Sequence, residues 1–203
     1  MSEKIVVAFI AAGISLFTTI LTLNGNAYIK YYETKRANLN NTYLKLLSIV
    51  NSYPNVSPND VLKGLASPLR YSMESFDSII TNLRRQIEDY SNKLENEGIN
   101  LEQKREYEEE ISNIEYDIKQ IEQIRDDYFD ARNKYREFCK NDKMIFDLYA
   151  GQEVKNTLVE FEVNINNIFK SGRSVGDVYN SKKNIIDRTR DKMTTAMRND
   201  IGI

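Results

Sequence analysis

The sequence predicts an all-α protein: one N-terminal transmembrane helix continuing into a stalk, then a cytosolic helical bundle with a long antiparallel coiled-coil hairpin. Residues 5–23 form an apolar run without a charge. Through most of the remaining chain apolar residues recur at spacings of three and four, the period of amphipathic helices. Glycine and proline are scarce, with 8 and 3 among 203 residues, as is typical of long helices joined by short turns.

Residues 5–23 have the length of a membrane span. At about 1.5 Å per residue this helix extends roughly 28 Å, which matches a hydrocarbon thickness of about 30 Å. A cleaved signal peptide is the alternative, but its apolar core has about 7 to 15 residues and ends at a small-x-small site. Leu23–Ala27 offers no such site. A buried helix of a soluble protein would keep polar positions across this length. We therefore expect a retained anchor in the lipid bilayer.

Basic residues beside the span predict its orientation. Lys4 precedes the span, whereas Lys30, Lys35 and Arg36 follow it. Because cytoplasmic flanks carry the excess of Lys and Arg, we expect a single-pass protein of the cell inner membrane, N-out with a cytoplasmic C-terminal domain. Side chains just past the span are predicted to meet the lipid headgroups. They are Tyr28, Tyr31, Tyr32, Lys35 and Arg36.

The chain after the span divides into a stalk and a bundle. Residues 24–53 are predicted to form a juxtamembrane stalk that ends at Pro54, because Tyr28 to about Val50 contains no helix breaker and can continue the membrane helix. Residues 54–203 are predicted to form one helical bundle. In its first turn, Ser57–Asp60 supplies an N-cap, a proline at the first helical position and an acidic residue that completes a capping box.

A hairpin over residues 68–140 is the clearest element of the predicted bundle. Ser67 and Pro68 again combine an N-cap with a proline. The apolar seam of the first arm alternates spacings of four and three: Leu69, Met73, Phe76, Ile80, Leu83, Ile87, Tyr90 and Leu94. Gly98 is predicted to end this arm, and Asn100–Gln103 is a capping box that opens the next.

The second arm of the hairpin carries a similar seam with one irregular step. Its members are Tyr107, Ile111, Ile114, Ile118, Ile121, Ile124, Tyr128, Ala131, Tyr135 and Phe138. Two seams joined by a short turn should pair antiparallel, and the longer second arm should overhang the first and pack on other helices. The hairpin is also the candidate surface for a protein partner.

Two further helices are predicted, over residues 142–170 and 174–199, with Gly172 as the stop between them. The apolar stripe of the first is Val154, Leu158, Phe161, Ile165 and Ile168. The stripe of the second is Val178, Ile185, Thr189, Met193 and Ala196.

Histidine is absent from the chain, which removes many classes of enzyme. Triads with an imidazole base, His-coordinated zinc and the Glu-x-x-His di-iron site all need it. A carboxylate-only magnesium site at Glu108, Glu109 and Glu110 stays open, although adjacent helical residues point in different directions and a solvated face is favoured. We expect no catalytic residue, no metal and no cofactor.

Nucleotide and thiol chemistry are no better supported. Neither a Walker A loop nor a Gly-x-Gly-x-x-Gly fingerprint occurs. Residues 171–176 contain two glycines and could present amides to an anion at a helix N-terminus, but an interhelical turn is favoured. Cys139 is the single cysteine, so it forms no internal disulfide, in agreement with a cytosolic domain. It is interpreted as a packed or half-exposed side chain, not a nucleophile.

Small and hydroxyl residues follow one side of the predicted membrane helix. Such residues let helices approach closely in lipid, and their hydroxyls can bond across the contact or line a narrow lumen. We therefore expect a homo-oligomer, with a monomeric anchor as the alternative. The residues concerned are Ala8, Ala11, Ala12, Ser15, Thr18, Thr19, Thr22 and Asn26.

The last helix carries a modest excess of basic residues that could contact RNA or lipid headgroups. They are Lys182, Lys183, Arg188, Lys192 and Arg198. Acidic residues are interspersed among them and the whole chain has a net charge of −2. A solvated face is therefore favoured, and nucleic acid is not expected as a partner.

One N-terminal span, a long-helix cytosolic bundle and the closing residues 197–203 resemble small single-span prokaryotic membrane proteins of antiviral defence systems. The resemblance covers the layout and is to the CRISPR-associated accessory membrane pore protein with a HEPN-like helical domain. It implies a pore-like membrane effector. HEPN ribonucleases carry Arg-x4-6-His; residues 198–200 resemble its opening, but Ile203 stands where histidine could be, so nuclease activity is not expected.

The leading functional hypothesis is thus a non-enzymatic, membrane-anchored helical protein that oligomerises and perturbs the membrane or acts as a scaffold. One alternative is a phage lysis protein of the inner-membrane spanin type, which also joins one span to a coiled coil but has a periplasmic bundle. Another is a membrane-tethered, degenerate HEPN-like module that binds RNA on its basic last helix.

Overall fold

The computed structural model describes residues 3–64, 75–95 and 98–202, and for residues 3–12 it describes the backbone alone. These ranges contain helices and no strand, which confirms the all-α prediction. The helices are α1 (Glu3–Ser52), α2 (Pro58–Val61), α3 (Phe76–Leu94), α4 (Leu101–Asn141), α5 (Lys143–Tyr149), α6 (Gln152–Phe169) and α7 (Ile185–Ile201), and a 3-10 turn, Leu62–Gly64, follows α2.

Helix α1 is continuous over 50 residues, which corresponds to about 75 Å at 1.5 Å per residue. Its second half is a core helix of the bundle, because Leu39, Tyr43, Leu46 and Val50 are buried on one face. The bundle therefore begins inside the predicted stalk, residues 24–53, and not at residue 54. The sequence signal was present, since these four residues follow the spacing of four and three that marks a buried stripe.

The C-terminus of α1 is fixed by an arginine of α7. The Nε of Arg190 donates to the carbonyl oxygen of Val50 at 3.1 Å, and its Nη2 donates to the carbonyl oxygen of Tyr53. Its Nη1 donates to Asp187 at 2.9 Å. The last carbonyls of a helix lack intrahelical donors and carry partial negative charge, so a guanidinium there satisfies both needs.

Helices α3 and α4 lie antiparallel, as the hairpin prediction required. Arg125 of α4 binds Asp77 near the start of α3 at 3.1 Å. Towards the other end of the pair, the rings of Tyr90 and Tyr107 are 5.6 Å apart. Asn100 and Gln103 form the predicted capping box at the start of α4. The rest of α4 overhangs α3 and packs on α1, α2 and α5, which confirms the expected overhang.

Parts of the predicted first arm lie outside the described residues: Ser67, Pro68, Leu69 and Met73. Helix α3 ends at Leu94 with Glu95 as its C-cap, so the prediction that Gly98 directly follows this helix is wrong.

An aromatic cluster joins the hairpin to the rest of the core. Tyr128 of α4 is buried, and its ring stacks on Phe169 of α6 at a centroid distance of 4.7 Å. The rings of Tyr53, after α1, and Phe76 of α3 each lie 6.2 Å from it. Aromatic pairs at these separations are favourable beyond the area they bury.

The prediction of one helix over residues 142–170 is wrong, because α5 and α6 are separate. Ala150 is extended, with ψ of 137°, and the N–H of Gly151 donates to the carboxylate of Asp200 at 2.9 Å. A long-range partner thus replaces the helical hydrogen bond. The predicted stripe of α6 is fully buried, and Gly172, with φ of +67°, follows its C-cap as predicted.

The prediction of a helix from residue 174 is also wrong, since α7 begins at Ile185. Asn184 is its N-cap and accepts from the N–H groups of Ile186 and Asp187. Residues 170–184 form an irregular connection between α6 and α7. Asn184 with an acidic residue three positions later is the cap signal that the sequence offered.

Asp60 fastens this connection to the corner between α1 and α2. Its carboxylate is 1% exposed. It accepts from the hydroxyls of Ser57 and Ser174 and from Nζ of Lys63, each at 2.6 Å. It also accepts from the N–H of Val175 at 3.0 Å. One buried carboxylate therefore has four partners. Ser57 and Lys63 are near it in the chain, whereas Ser174 and Val175 belong to the distant connection before α7.

We expect Gly176→Ala to lower the free energy of unfolding by about 2 kcal/mol. Gly176 has φ of +100°, and a Cβ there would lie 2.5 Å from the carbonyl oxygen of Lys183. The variant must therefore accept both backbone strain and a displaced connection. Urea unfolding of the full chain, followed by far-ultraviolet circular dichroism, measures the loss. Gly98→Ala is the control, because a Cβ there meets nothing within 4 Å. Equal stability of the two variants would contradict the prediction.

Candidate functional site

The N-terminal part of α1 projects from the bundle with its side chains uncovered. Every side chain of residues 13–34, which we name the arm, is exposed; Lys35 is the first that is not. The arm includes large apolar and aromatic side chains: Ile14, Leu16, Phe17, Ile20, Leu21, Leu23, Tyr28, Ile29, Tyr31 and Tyr32. An exposed apolar surface of this extent marks a site of contact with a partner or a membrane.

Among the described residues, no helix combines the length and apolar character that a membrane crossing needs. The side chains of residues 5–12 of the predicted span lie outside the described residues. The span at residues 5–23 therefore stays a prediction.

The predicted small-residue stripe lies on the arm as far as it is described. Ser15, Thr18, Thr19, Thr22 and Asn26 are exposed, whereas the side chains of residues 8, 11 and 12 lie outside the described set. The threonine hydroxyls donate to carbonyl oxygens one turn earlier, as in the bond of 2.8 Å from Thr19 to Ser15. Thr18 and Thr22 make the same contact to Ile14 and Thr18. Their hydrogen-bond donors are thus satisfied within the helix, and their oxygen lone pairs face outwards.

The three tyrosines after the predicted span form one exposed cluster. The ring centroids of Tyr28 and Tyr32 are 4.5 Å apart, and those of Tyr31 and Tyr32 are 5.6 Å apart with their planes perpendicular. Their grouping on one side of the helix agrees with the spacing in the sequence. An amphipathic ring with a hydroxyl at its edge suits a boundary between apolar and aqueous surroundings.

The base of the arm is bound to the bundle through Asp200, near the end of α7. One carboxylate oxygen accepts from Nζ of Lys35 at 2.8 Å, and the other accepts from the hydroxyl of Tyr43 at 2.5 Å and the N–H of Gly151 at 2.9 Å. We name these four residues the Asp200 anchor. The Asp200 side chain is 12% exposed, so this ion pair is shielded from solvent.

The ionisation of the Asp200 anchor follows from its partners. Burial works to raise the pKa of Asp200, but the hydrogen bonds from Lys35, Tyr43 and Gly151 outweigh it and leave the pKa below its usual value. Burial and the bond to Asp200 raise the pKa of Tyr43. The anchor therefore holds an ionised carboxylate and a protonated phenol at neutral pH. A Cβ on Gly151 would lie 2.6 Å from a carboxylate oxygen of Asp200, so glycine is needed for this approach.

The predicted headgroup contacts separate in the structure. Arg36 is exposed next to the arm, whereas Lys35 is half-buried in the Asp200 anchor. The pairing of Lys35 with Asp200 was not predicted from the sequence. Its available signal was a carboxylate in the last turn of α7, where the helix dipole disfavours negative charge unless a cation is supplied.

The basic residues of the C-terminal region are partly brought together. Lys182, Arg188 and Lys192 line one open groove beside α6, together with acidic side chains of Glu153 and Asp191. Lys192 also forms an ion pair with Glu160 at 2.7 Å. Two further predicted contacts, Lys183 and Arg198, are exposed and do not line this groove. The groove is of mixed charge, which agrees with the favoured solvated face.

The carboxylate run of α4 and the turn after α6 are the two remaining candidates for a ligand site. Among the described residues, no group of three or more Asp, Glu or Cys side chains could hold a metal ion. Residues 171–176 lie within the irregular connection between α6 and α7, not at a helix N-terminus, and Ser174 and Val175 bind Asp60. Cys139 is half-buried, as predicted.

No protein-family model, curated protein or solved structure matches this chain. The fold class is that of an all-α helical bundle with a projecting N-terminal helix.

Proposed function

We propose that this is a non-enzymatic, membrane-anchored helical protein that oligomerises and acts as a membrane-perturbing, pore-like effector or scaffold. The arm of α1 is the observation that carries the proposal. In the proposed topology it lies in the inner membrane with the N-terminus outside, and the bundle lies in the cytoplasm. The layout shared with membrane proteins of antiviral defence favours a role in that process.

The distribution of side chains around the arm supports lipid as its surroundings. At about 100° per residue, Ile14, Leu16, Phe17, Ile20 and Leu21 fall within one arc of about 160°, so bulky apolar groups cover nearly half of the circumference. A helix that packs on one protein groove carries charged residues opposite its apolar face, whereas residues 13–29 contain no charge on any side, as contact with lipid all round requires. The threonine hydroxyls that bond to their own backbone also suit a medium without water.

The side of the arm opposite these bulky groups supports self-association. Ser15, Thr19, Thr22 and Asn26 fall on the same side, since their spacings are three and four residues. In lipid, apolar burial alone does not drive helices together, but small side chains permit close packing and polar groups can bond across it. The same stripe would face a lumen if enough copies assembled around an axis.

A membrane-association experiment tests the anchor. Vesicles carrying the full chain are washed with alkaline carbonate, and the wild-type protein is expected to stay with the lipid. The double variant Phe17→Lys and Leu21→Lys should be released, because a cation at the helix centre costs about 3 kcal/mol in lipid. Leu44→Lys is the control, since Leu44 is 60% exposed on α1 but outside the arm. Release of the wild-type protein into the supernatant would overturn the proposal.

The same preparation tests the oligomer and its effect. In detergent, the wild-type protein is expected to form oligomers that Ser15→Leu with Thr22→Leu reduces to monomers, because bulky groups block close approach of the stripes. Membrane depolarisation on expression should disappear in this variant. Leu16→Ile, on the bulky side, is the control. A wild-type protein that is monomeric at all concentrations and leaves the membrane potential unchanged would contradict the effector role.

The spanin-type alternative shares the arm and the antiparallel pair of α3 and α4, and it differs in topology. A topology reporter fused to each end of the chain separates the two functions. Cytoplasmic activity of the C-terminal fusion is expected for the proposed effector. Periplasmic activity would overturn the effector proposal and favour the lysis protein.

A further inference from the structure

The end of the molecule opposite the arm carries two surfaces of opposite charge. Helix α4 runs back along α1, and Asp142 at its end pairs with Lys45 at 2.8 Å. Further back in α4, the ring of Tyr128 lies 6.2 Å from that of Tyr53, which follows α1. The residues of α4 before Tyr128 therefore extend the hairpin away from the arm. The connection between α6 and α7 lies at this end too, because the side-chain amide of Asn184 donates to the backbone just after α1 at 2.8 Å.

The first surface is residues 106–117 of α4, in the hairpin, which we name the acidic stretch. It holds six carboxylates and no cation: Glu106, Glu108, Glu109, Glu110, Glu115 and Asp117. Four of these side chains are exposed, and none of the six forms an ion pair with a described residue. Tyr116 lies among them and is 63% exposed. The acidic stretch therefore presents uncompensated negative charge around an accessible aromatic ring.

The second surface is residues 170–188, the connection between α6 and α7 with the first turn of α7, which we name the basic connection. It holds five exposed cations, none of which forms an ion pair with a described residue: Lys170, Arg173, Lys182, Lys183 and Arg188. With its two carboxylates, Asp177 and Asp187, these cations give a net charge of +3 in a chain whose net charge is −2. The side chain of Tyr179 is 100% exposed. The basic connection is thus the charge complement of the acidic stretch, and it too presents a tyrosine.

The basic connection holds its side chains on a fixed backbone. The N–H of Val175 donates to Asp60 at 3.0 Å, and the carbonyl oxygen of Val175 accepts from the N–H of Ile185 at 2.9 Å. These bonds close a loop over residues 176–184. Within the loop, the N–H of Tyr179 donates to a carboxylate oxygen two residues earlier at 3.1 Å. Because this backbone is already ordered, a partner that binds here pays less for lost conformational freedom.

We propose that the basic connection of one copy of this chain binds the acidic stretch of a neighbouring copy. This contact rests on the proposed function, because arms in one membrane would hold the copies side by side with both surfaces at the same end. The two surfaces differ, so the contact is head-to-tail and can close into a ring. Opposite charges set the orientation of the copies, and tyrosines such as Tyr116 and Tyr179 are enriched among the residues that dominate interface energies.

Charge reversal in each surface tests the contact, with sedimentation velocity of the full chain in detergent at low ionic strength as the measurement. The hairpin variant carries Glu108→Lys, Glu109→Lys and Glu115→Lys, and the connection variant carries Lys182→Glu, Lys183→Glu and Arg188→Glu. Each variant is expected to raise the dissociation constant of the oligomer at least about tenfold, because like charges then face each other. An equal mixture of the two variants should regain the wild-type oligomer, because each contact between unlike copies again pairs opposite charges. All six side chains are exposed, so both variants are expected to fold.

The matched control is a variant with Lys134→Glu, Lys140→Glu and Lys143→Glu. These lysines are exposed outside both surfaces, and their reversal changes the net charge as much as the connection variant does. A wild-type oligomer that neither reversal weakens would overturn this contact and leave the effector proposal standing, whereas a wild-type protein that is monomeric at all concentrations would overturn both. If the connection variant keeps the oligomer but loses binding of a labelled oligouridylate, the basic connection binds nucleic acid and the proposed contact is wrong.

Discussion

Replacing Arg190 with alanine is expected to lower the free energy of unfolding by about 3–5 kcal/mol, the range for removing one partner of a buried ion pair. The Arg190 side chain is 15% exposed and supplies donors to Val50, Tyr53 and Asp187. Its loss leaves two carbonyl oxygens and one carboxylate without these donors. Burial lowers the pKa of Arg190 and Asp187 raises it, and an arginine is protonated throughout the accessible range of pH.

Urea unfolding of the full chain measures this loss. Arg198→Ala is the matched control, because Arg198 belongs to the same helix but is exposed. Arg190→Lys should fall between wild type and alanine, since an ammonium keeps the charge but cannot reach three acceptors with a planar fork. If Arg190→Ala and Arg198→Ala unfold at the same urea concentration, the capping of α1 by α7 contributes nothing and the prediction is wrong.

Replacing Asp60 with asparagine is expected to lower the free energy of unfolding by about 2–3 kcal/mol at neutral pH, because hydrogen bonds to a buried charge are stronger than neutral ones. Burial works to raise the pKa of Asp60. The hydrogen bonds from Lys63, Ser174, Ser57 and Val175 outweigh that effect, and the pKa lies below its usual value.

The sign of the pH effect follows from this lowered pKa. The unfolded chain takes up the proton first, at a pKa of about 3.9, so the contribution of Asp60 is fully present above that pH. It is lost as the pH falls through the lower pKa of the folded state. Wild type should therefore lose more stability than Asp60→Asn between neutral pH and pH values below about 3.9.

Unfolding midpoints of wild type and Asp60→Asn in urea, measured at neutral pH and at a pH below about 3.9, check the prediction. Asp77→Asn is the control, since Asp77 is 90% exposed in its ion pair with Arg125. A parallel decline of wild type and Asp60→Asn in acid would show that this carboxylate does not link pH to stability. The lowered pKa of Asp200 acts in the same direction, so a residual acid dependence is expected in Asp60→Asn.

Local periodicity predicts most of the helical fold, because buried stripes follow directly from the spacing of apolar residues. All five predicted stripe residues of α6 are buried. The two errors at the C-terminal end have a common physical cause. At the break before Gly151, this residue bonds to Asp200, 49 positions away, and in the connection before α7 Val175 bonds to Asp60, 115 positions away. A periodicity argument uses neighbours within two turns and contains no information on such contacts.

The candidate sites likewise divide into those formed by a local sequence pattern and those formed by long-range contacts. The arm is an unbroken local pattern, so its exposed stripe and tyrosine cluster could be predicted residue by residue. The Asp200 anchor could not, because it is assembled from three segments: α1, the turn before α6, and α7.

Because α1 is one continuous helix, motion of the arm acts directly on the part of α1 that lies in the core. Proline is absent from the chain before residue 54, so the commonest cause of a kink is lacking between the arm and the core. The part of α1 before Leu39 is about 54 Å long, so a tilt of about 10° displaces its far end by about 9 Å. Because α1 is continuous from the arm into the core, a rigid tilt of the helix would act on the packing of Leu39, Tyr43 and Leu46. In the proposed topology, bilayer thickness, which influences the tilt of a spanning helix, would thereby be coupled to the packing of the bundle.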